Sequence, residues 1–225
     1  MEWSVLVPVK RLAAAKTRLR GAVGAERHEP LVLAMAQDTV AAALAAPGIA
    51  DVLVVTADPL VSAAVTALGA RTVAEPGPES VPGAGSGAGS GAGSGGLNAA
   101  LRHAAATAST AVVGRIAALP ADLPALRGDE LSAALSALAT AAGGGYVPDA
   151  SGTGTVLLVA AAGGRLVPRF GPGSAAAHGH AGARRVEGDW PSLRHDVDTP
   201  ADLAIAVALG VGPHTRALLR AGIAV

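Results

Sequence analysis

The chain has 225 residues, 17 basic and 17 acidic side chains, no cysteine, and only one Phe, one Tyr and two Trp. The length suits one large α/β domain with an ample core. The charge balance gives no reason to expect non-specific nucleic-acid or anionic-membrane binding, and without cysteine there are no disulfides, no thiolate catalysis and no Cys-ligated zinc.

WSVLVPV (Trp3–Val9) is a short apolar run and predicts a buried strand; no basic stretch precedes it as in a signal peptide. A basic segment follows, KRLAAAKTRLR (Lys10–Arg20). HEPLVLAMAQDTVAAALAA has helical apolar spacing with Pro30 near its start and predicts a helix. DVLVVTAD (Asp51–Asp58) predicts a second strand, and PLVSAAVTALG a helix ended by Gly69. RTVAE predicts a short strand, LNAALRHAAATA a helix, AVVGRIAALPAD a strand and RGDELSAALSALATA a helix. GYVPD and GTVLLVAAA predict strands, and PSLRHDVD a last one. TPADLAIAVALG is the closing helix, with Thr199 as N-cap, Pro200 at its first position and Asp202 in its first turn. Strands alternating with helices predict a mostly parallel sheet, with ligands beyond the carboxyl ends of its strands. The apolar segments fall short of the ~20 residues of a membrane span, so a soluble, cytoplasmic protein is expected.

Between the third strand and the next helix lies GAGSGAGSGAGSGG (83–96), whose composition cannot pack a core and predicts a mobile loop. It contains one G-x-G-x-x-G match (Gly91–Gly96). No strand precedes that match, and such a tract produces it by chance. Gly95 and Gly96 nevertheless lead into a helix, and a glycine-rich approach to a helix N-terminus can admit a base or phosphate.

Few residues are equipped for chemistry. Asp122 follows an apolar strand, where a carboxylate either holds a divalent metal over the sheet edge or caps a turn. Asp196 and Asp198, two apart on a predicted strand, face the same way. Either a cation joins them, or one caps the next helix and the other is solvated. Mg²⁺ suits such a site, since it takes few protein carboxylates and keeps other positions for phosphates and water. Lys10, Arg11, Lys16, Arg18 and Arg20 supply the opposite charge directly after the first strand, as a solvated face or a phosphate cradle. No Walker A pattern is present. GTGT (Gly152–Thr155) and FGPGS (Phe170–Ser174) are ordinary turns or anion nests of backbone N–H groups. Ser174 and His178 lack the setting of a nucleophile elbow. His178 and His180 lack a third metal ligand nearby.

Taken in order, VPVKRLAAAKTRL, GLNAAL (Gly96–Leu101), LPADLPAL (Leu119–Leu126), GTGT, FGPGSAAAH (Phe170–His178) and DVDTPADL (Asp196–Leu203) span nearly the whole chain. In this combination the sequence resembles the guanylyltransferases of deazaflavin coenzyme F-420 biosynthesis, the CofC/FbiD family. DVDTPADL by itself is also similar to segments of sugar-nucleotide and molybdopterin nucleotidyltransferases. The resemblance implies a three-layer α/β/α nucleotidyltransferase fold, GT-A-like, forming a single domain over residues 1–225. It implies Mg²⁺ as cofactor and GTP and a three-carbon phosphate as substrates: phosphoenolpyruvate in bacterial members, 2-phospho-L-lactate in archaeal ones. It further implies hand-off of the product to the downstream deazaflavin transferase. By the family pattern the acceptor phosphate lies against Thr155, Gly171 and Ser174, and the metal on Asp122 and Asp196 with Asp198 beside them. Gly96 and Asn98 border the nucleotide, and Lys10, Arg11 and Lys16 hold the triphosphate. The sequence departs from the pattern at Arg115, within the strand before Asp122, at Ser151, where an acidic residue is usual with Asp149 two positions earlier, and in the 83–96 insert.

The expected chemistry is in-line displacement: a phosphate oxygen of phosphoenolpyruvate attacks the α-phosphorus of GTP and pyrophosphate leaves. Transfer to 2-phospho-L-lactate or 3-phosphoglycerate, a molybdenum-cofactor-type nucleotidyltransferase, and a non-catalytic nucleotide-binding module are the rival readings. The oligomeric state is open, with a homodimer compatible; neither nucleic acid nor membrane is an expected partner.

Overall fold

The computed structural model describes residues 2–19, 23–75, 94–111 and 114–221. Most of the 83–96 tract therefore lies outside the described residues, as do Val112 and Val113 of the segment predicted as a strand from Ala111.

Strand β1 (Trp3–Pro8) is followed by two single 3-10 turns (Leu12–Ala14 and Thr17–Leu19) and helix α1 (Ala25–Ala45). Then come β2 (Ile49–Val55), α2 (Pro59–Ala67) and β3 (Arg71–Val73). Helix α3 (Ser94–Ala111) precedes β4 (Arg115–Ala118), α4 (Gly128–Leu138), β5 (Gly145–Pro148) and β6 (Thr155–Val159). The chain closes with α5 (Ser174–His180), β7 (Arg184–Arg185), α6 (Pro191–Arg194), α7 (Pro200–Leu209) and α8 (Pro213–Ala221). Among the described residues no helix is long and apolar enough to cross a membrane.

The strands form one seven-stranded mixed sheet in the order β3-β2-β1-β4-β6-β5-β7. β6 runs antiparallel to both of its neighbours, and the other pairings are parallel. Period-two alternation divides the core between two layers of helices. Val5 and Val7 of β1 and Val52 and Val54 of β2 pack with Leu31, Met35 and Leu135 on one face. Leu6, Leu53 and Val55 pack with Leu101 and Ala104 of α3 on the other. This is the mostly parallel α/β sheet expected from the alternation of elements, in the three-layer α/β/α arrangement that the resemblance implies.

Three expectations are corrected. PSLRHDVD is not a strand: Pro191 starts the short helix α6, and residues 195–198 form an extended connection outside the sheet. Its apolar residues Leu193 and Val197 are buried in the core from outside the sheet. The strand before Asp122 is four residues long, because α3 extends to Ala111. Helix α1 begins five residues before Pro30, which is accommodated inside it.

The antiparallel insertion of β6 matters for function. Ala118 pairs with Leu158 and Ala117 with Val159, so the start of β6 at Thr155 lies at the sheet edge where β1 and β4 end. β5 runs against β6 and delivers Asp149 to the same edge. One rim thus collects the ends of β1, β4 and β5 and the beginning of β6.

Candidate active site

A cleft of about 600 Å³ opens on that rim. Its walls carry Lys10, Lys16 and Arg18 from the basic segment, Asp122 from the turn after β4, and Asp149, Thr153 and Thr155 around the start of β6. Phe170, Gly171, Gly173 and Ser174, with Asp196 and Asp198, complete them. Eight of the residues singled out from sequence therefore converge: Lys10, Lys16, Asp122, Thr155, Gly171, Ser174, Asp196 and Asp198. Arg11, Gly96 and Asn98 are not among the lining residues. Arg11 is exposed beside the cleft. Both ends of the Asn98 amide are taken by Phe170: Nδ2 donates to its carbonyl at 3.0 Å, and its N–H donates to Oδ1 at 2.8 Å. Asn98 thus moors the 170–174 loop to α3.

Asp122 is fixed by its backbone. The buried hydroxyl of Thr39 on α1 accepts from the Leu123 N–H at 3.1 Å and lies 3.2 Å from the Ala121 carbonyl, gripping the turn on both sides of Asp122. The Asp122 carbonyl in turn accepts from Val197 N–H at 2.9 Å. Because Val197 is wholly buried, its neighbours Asp196 and Asp198 are both turned to the cleft. The expected convergence of these carboxylates thus holds although the strand that predicted it is absent. The 195–198 connection is steadied by α6, whose Ser192 and Leu193 N–H groups donate to Glu130, and by Arg194, whose guanidinium donates to the carbonyls of Pro148 and Asp149.

Lys16 ties the acidic group together. Its ammonium hydrogen-bonds and pairs with both Asp122 and Asp198. The side chains of Lys16 and Asp122 keep 17 % exposure and Asp198 keeps 56 %, so the pair with Asp122 is the shielded one. Burial by itself would depress the Lys16 ammonium, but attraction to Asp122 and Asp198 and its bonds to both hold it above its ordinary value. Asp196 behaves oppositely: burial, then the charge of Asp122, push its carboxyl up to about 7, against the partial relief given by Lys16. Lys16 has φ +48°, the left-handed region, which costs a non-glycine residue roughly 1 kcal/mol or more. Buried His28 on α1 secures that conformation by donating from Nε2 to the Lys16 carbonyl at 2.8 Å. Asp58 caps α2 and also accepts from Leu12 N–H at 3.0 Å, tying down the other end of the basic segment; that bond foremost draws its carboxyl below the usual range.

GTGT is not an open anion nest. The carboxylate of Asp149 accepts from Thr153 N–H at 2.9 Å and from the Ser151 hydroxyl, so the turn is filled by the protein's own anion. Gly154 is required there, since a Cβ would lie 2.5 Å from Asp149 Oδ2. The Ser151 hydroxyl, at the position where the resemblance implies an acidic residue, bonds the Asp149 carboxylate. Arg115 lies at the start of β4, away from the cleft. Its guanidinium stands 5.2 Å over the Trp3 ring and donates to the Ala139 carbonyl.

Asp122 Oδ1 is buried without a hydrogen-bond partner, which leaves a carboxylate oxygen suited to a hard cation. Among the described residues no group of three or more His, Asp or Glu side chains is arranged to hold a metal. A cage built from all three aspartates is therefore absent, and Asp198 is engaged by Lys16 instead. Sequence reasoning missed Thr39 and His28. Both are ordinary helix residues by pattern, and only packing brings them to the site.

No protein-family model matches the chain. It is 55 % identical over 217 residues to the phosphoenolpyruvate guanylyltransferase of Salinispora arenicola, covering 96 % of this chain and 92 % of the relative. The enzyme of that name from Geodermatophilus obscurus is also 55 % identical, over 223 residues, covering 96 % and 94 %. The chain belongs to the phosphoenolpyruvate guanylyltransferase family. The Mycolicibacterium gilvum member, at 43 % identity over 96 % of this chain, widens that family relationship. The fold has a solved parallel in a protein of Desulfovibrio desulfuricans G20 described as a nucleotide-diphospho-sugar transferase, with TM-score 0.68 at 20 % identity over the whole of this chain and 96 % of that one. A CMP:2-keto-3-deoxy-manno-octonic acid synthetase is a more distant parallel, with TM-score 0.53 at 17 % identity over 93 % of this chain and 98 % of that one. The family and the fold thus agree with the nucleotidyltransferase resemblance drawn from the motifs.

Proposed function

We propose that this chain, as one nucleotidyltransferase domain, transfers GMP from GTP to phosphoenolpyruvate, releasing pyrophosphate and giving enolpyruvyl-diphospho-5'-guanosine. The observation that carries the reading is one cleft in which Lys10, Lys16 and Arg18 face Asp122 and Asp196, in a chain 55 % identical to relatives of that name.

The attacking phosphate oxygen is already an anion, so no side chain needs activation as a nucleophile. The P–O bond to the acceptor forms as the bond from the α-phosphorus to the bridging oxygen breaks, and both electrons leave with pyrophosphate. The protein has to bring two polyanions together and align them. Mg²⁺ held by Asp122 Oδ1 and Asp196, when bound, supplies charge neutralisation at the reacting phosphates. Lys10, Lys16 and Arg18 hold the triphosphate and stabilise the charge growing on pyrophosphate. Arg11 acts at longer range from its exposed position. Thr155, Gly171 and Ser174 hold the acceptor phosphate. Gly96 and Asn98 shape the nucleotide side through α3, with Asn98 acting on the 170–174 loop. The reaction is assigned to the cytoplasm. Its anhydride product is handed to the downstream deazaflavin transferase.

The test is pyrophosphate release with GTP and Mg²⁺, comparing phosphoenolpyruvate, 2-phospho-L-lactate, 3-phosphoglycerate and no acceptor, with the product trapped by the downstream transferase. Release dependent on phosphoenolpyruvate is expected. Release only with another acceptor moves the substrate assignment. GTP binding without release under any condition overturns the enzymatic reading.

A further inference from the structure

His178 belongs to no part of the mechanism above, yet it is 1 % exposed and stands directly behind the cleft wall. Its ring packs edge-on against Phe170, with centroids 5.3 Å apart, and tilted against Tyr146. Both ring nitrogens are engaged. The backbone N–H of Arg169 lies 2.9 Å from Nε2. A backbone amide can only donate, so Nε2 must carry a lone pair. The hydrogen of the neutral ring is then on Nδ1, which stands 2.9 Å from Thr155 Oγ1. A hydroxyl has one hydrogen and two lone pairs. With one lone pair receiving the Nδ1 hydrogen, the Thr155 hydrogen has to point elsewhere, and Thr155 lines the cleft.

We propose that His178 is a positioning residue: by donating from Nδ1 to Thr155 Oγ1 it compels the Thr155 hydroxyl to donate into the cleft, toward an anionic phosphate oxygen of the acceptor. The proposal rests on the reading that Thr155 meets the acceptor phosphate. The opposite hydroxyl orientation would present a lone pair to a dianion, which repels it. Burial first, then the Arg169 charge, push the imidazole down to about 4, against a hydrogen bond to the Ser174 backbone that works the other way. The ring therefore stays neutral and its tautomer fixed at neutral pH. The same ring sets the 169–170 backbone through Nε2, so the acceptor loop and the acceptor hydroxyl are registered by one side chain.

Two isosteric substitutions separate these jobs. His178→Asn carries an amide nitrogen near the position of Nδ1 and keeps a donor to Thr155. His178→Gln reaches the position of Nε2 and keeps the Arg169 contact alone. The expected result is that H178Q raises KM for phosphoenolpyruvate about tenfold or more, the scale of one hydrogen bond to a charged group, with KM for GTP unchanged. H178N keeps the donor to Thr155 but gives up the Arg169 contact, so it raises that KM clearly less than H178Q does. In a Thr155→Val background, H178Q should add nothing further. Equal effects of H178N and H178Q, or an undiminished H178Q effect on top of T155V, overturn the proposal. On the unsubstituted protein, long-range ¹H–¹⁵N correlation of the His178 ring must report hydrogen on Nδ1; hydrogen on Nε2 overturns the proposal whether or not the variants fold. A parent enzyme lacking phosphoenolpyruvate-dependent release would strike the function reading instead, and the ring tautomer would still decide the hydrogen-bond arrangement.

Discussion

Asp122→Asn is the most informative single change, because it removes one charge and almost no volume. In contact with Lys16 at the surface of a cleft, the lost attraction is about 4 kcal/mol at an effective dielectric constant of ~20. Much of this is returned. The amide oxygen still accepts from Lys16, Asp198 still pairs with it, and Asp196 is freed from the charge that, after burial, holds its carboxyl near 7. The net loss of stability should be about 1 kcal/mol, lowering the melting temperature by ~2–4 °C. Turnover should fall far more, by roughly 10²–10³, the scale of one preorganised electrostatic contact in a reacting site. The assays are phosphoenolpyruvate-dependent pyrophosphate release, thermal denaturation, and an NMR titration of the Asp196 carboxyl, whose midpoint should move down while burial, the larger cause of its raised value, remains. A folded variant within fivefold of parent turnover would remove Asp122 from the centre, and an unmoved Asp196 midpoint would refute the electrostatic coupling.

Thr39→Val, nearly isosteric, strands the buried Leu123 N–H. It should cost about 1–3 kcal/mol in urea denaturation and slow turnover by loosening Asp122, while binding of GTP alone changes little. Asp38 is buried and accepts from the N–H groups of His214 and Thr215 at 3.0 and 2.8 Å, capping α8 from α1. Asp38→Ala should cost about 2 kcal/mol and speed amide exchange across 213–221; unchanged exchange there would show that the cap contributes nothing. His178 ionises near 4 in the folded chain against 6.5 ordinarily. Between those values the unfolded chain binds a proton that the folded chain refuses, so stability falls as pH drops from about 6.5 toward 4. The loss is at most about 3 kcal/mol. Denaturation midpoints at pH 7, 5 and 4 should show this slope in the parent and lose that share of it in His178→Phe.

The alternation of apolar runs determined the layered α/β architecture, because period-two strands such as Val5-Leu6-Val7 have to bury both faces and only two helical layers can cover them. Short-range motifs likewise determined the cap at Thr199 and the order in which Lys16, Asp122, Thr155, Ser174 and Asp196 enter the cleft. The reach of local pattern ended at 191–198, where the sequence reads as a strand. There, α6, the Arg194 bonds to β5 and the buried Val197 decide the path, and all three are contacts between distant segments. Tertiary structure alone decided which charges meet. Lys16 joins Asp122 and Asp198 across separations of 106 and 182 residues, and Asp149 fills the GTGT turn that composition leaves open. It also decided that Thr39 and His28, unremarkable in their own helix, stand behind Asp122 and Lys16, and that His178 bonds Thr155 where its sequence neighbours suggested neither nucleophile nor metal chemistry. A side chain's hydrogen-bond partner is set by the packing of whole elements, and the spacing of its sequence neighbours carries no record of it.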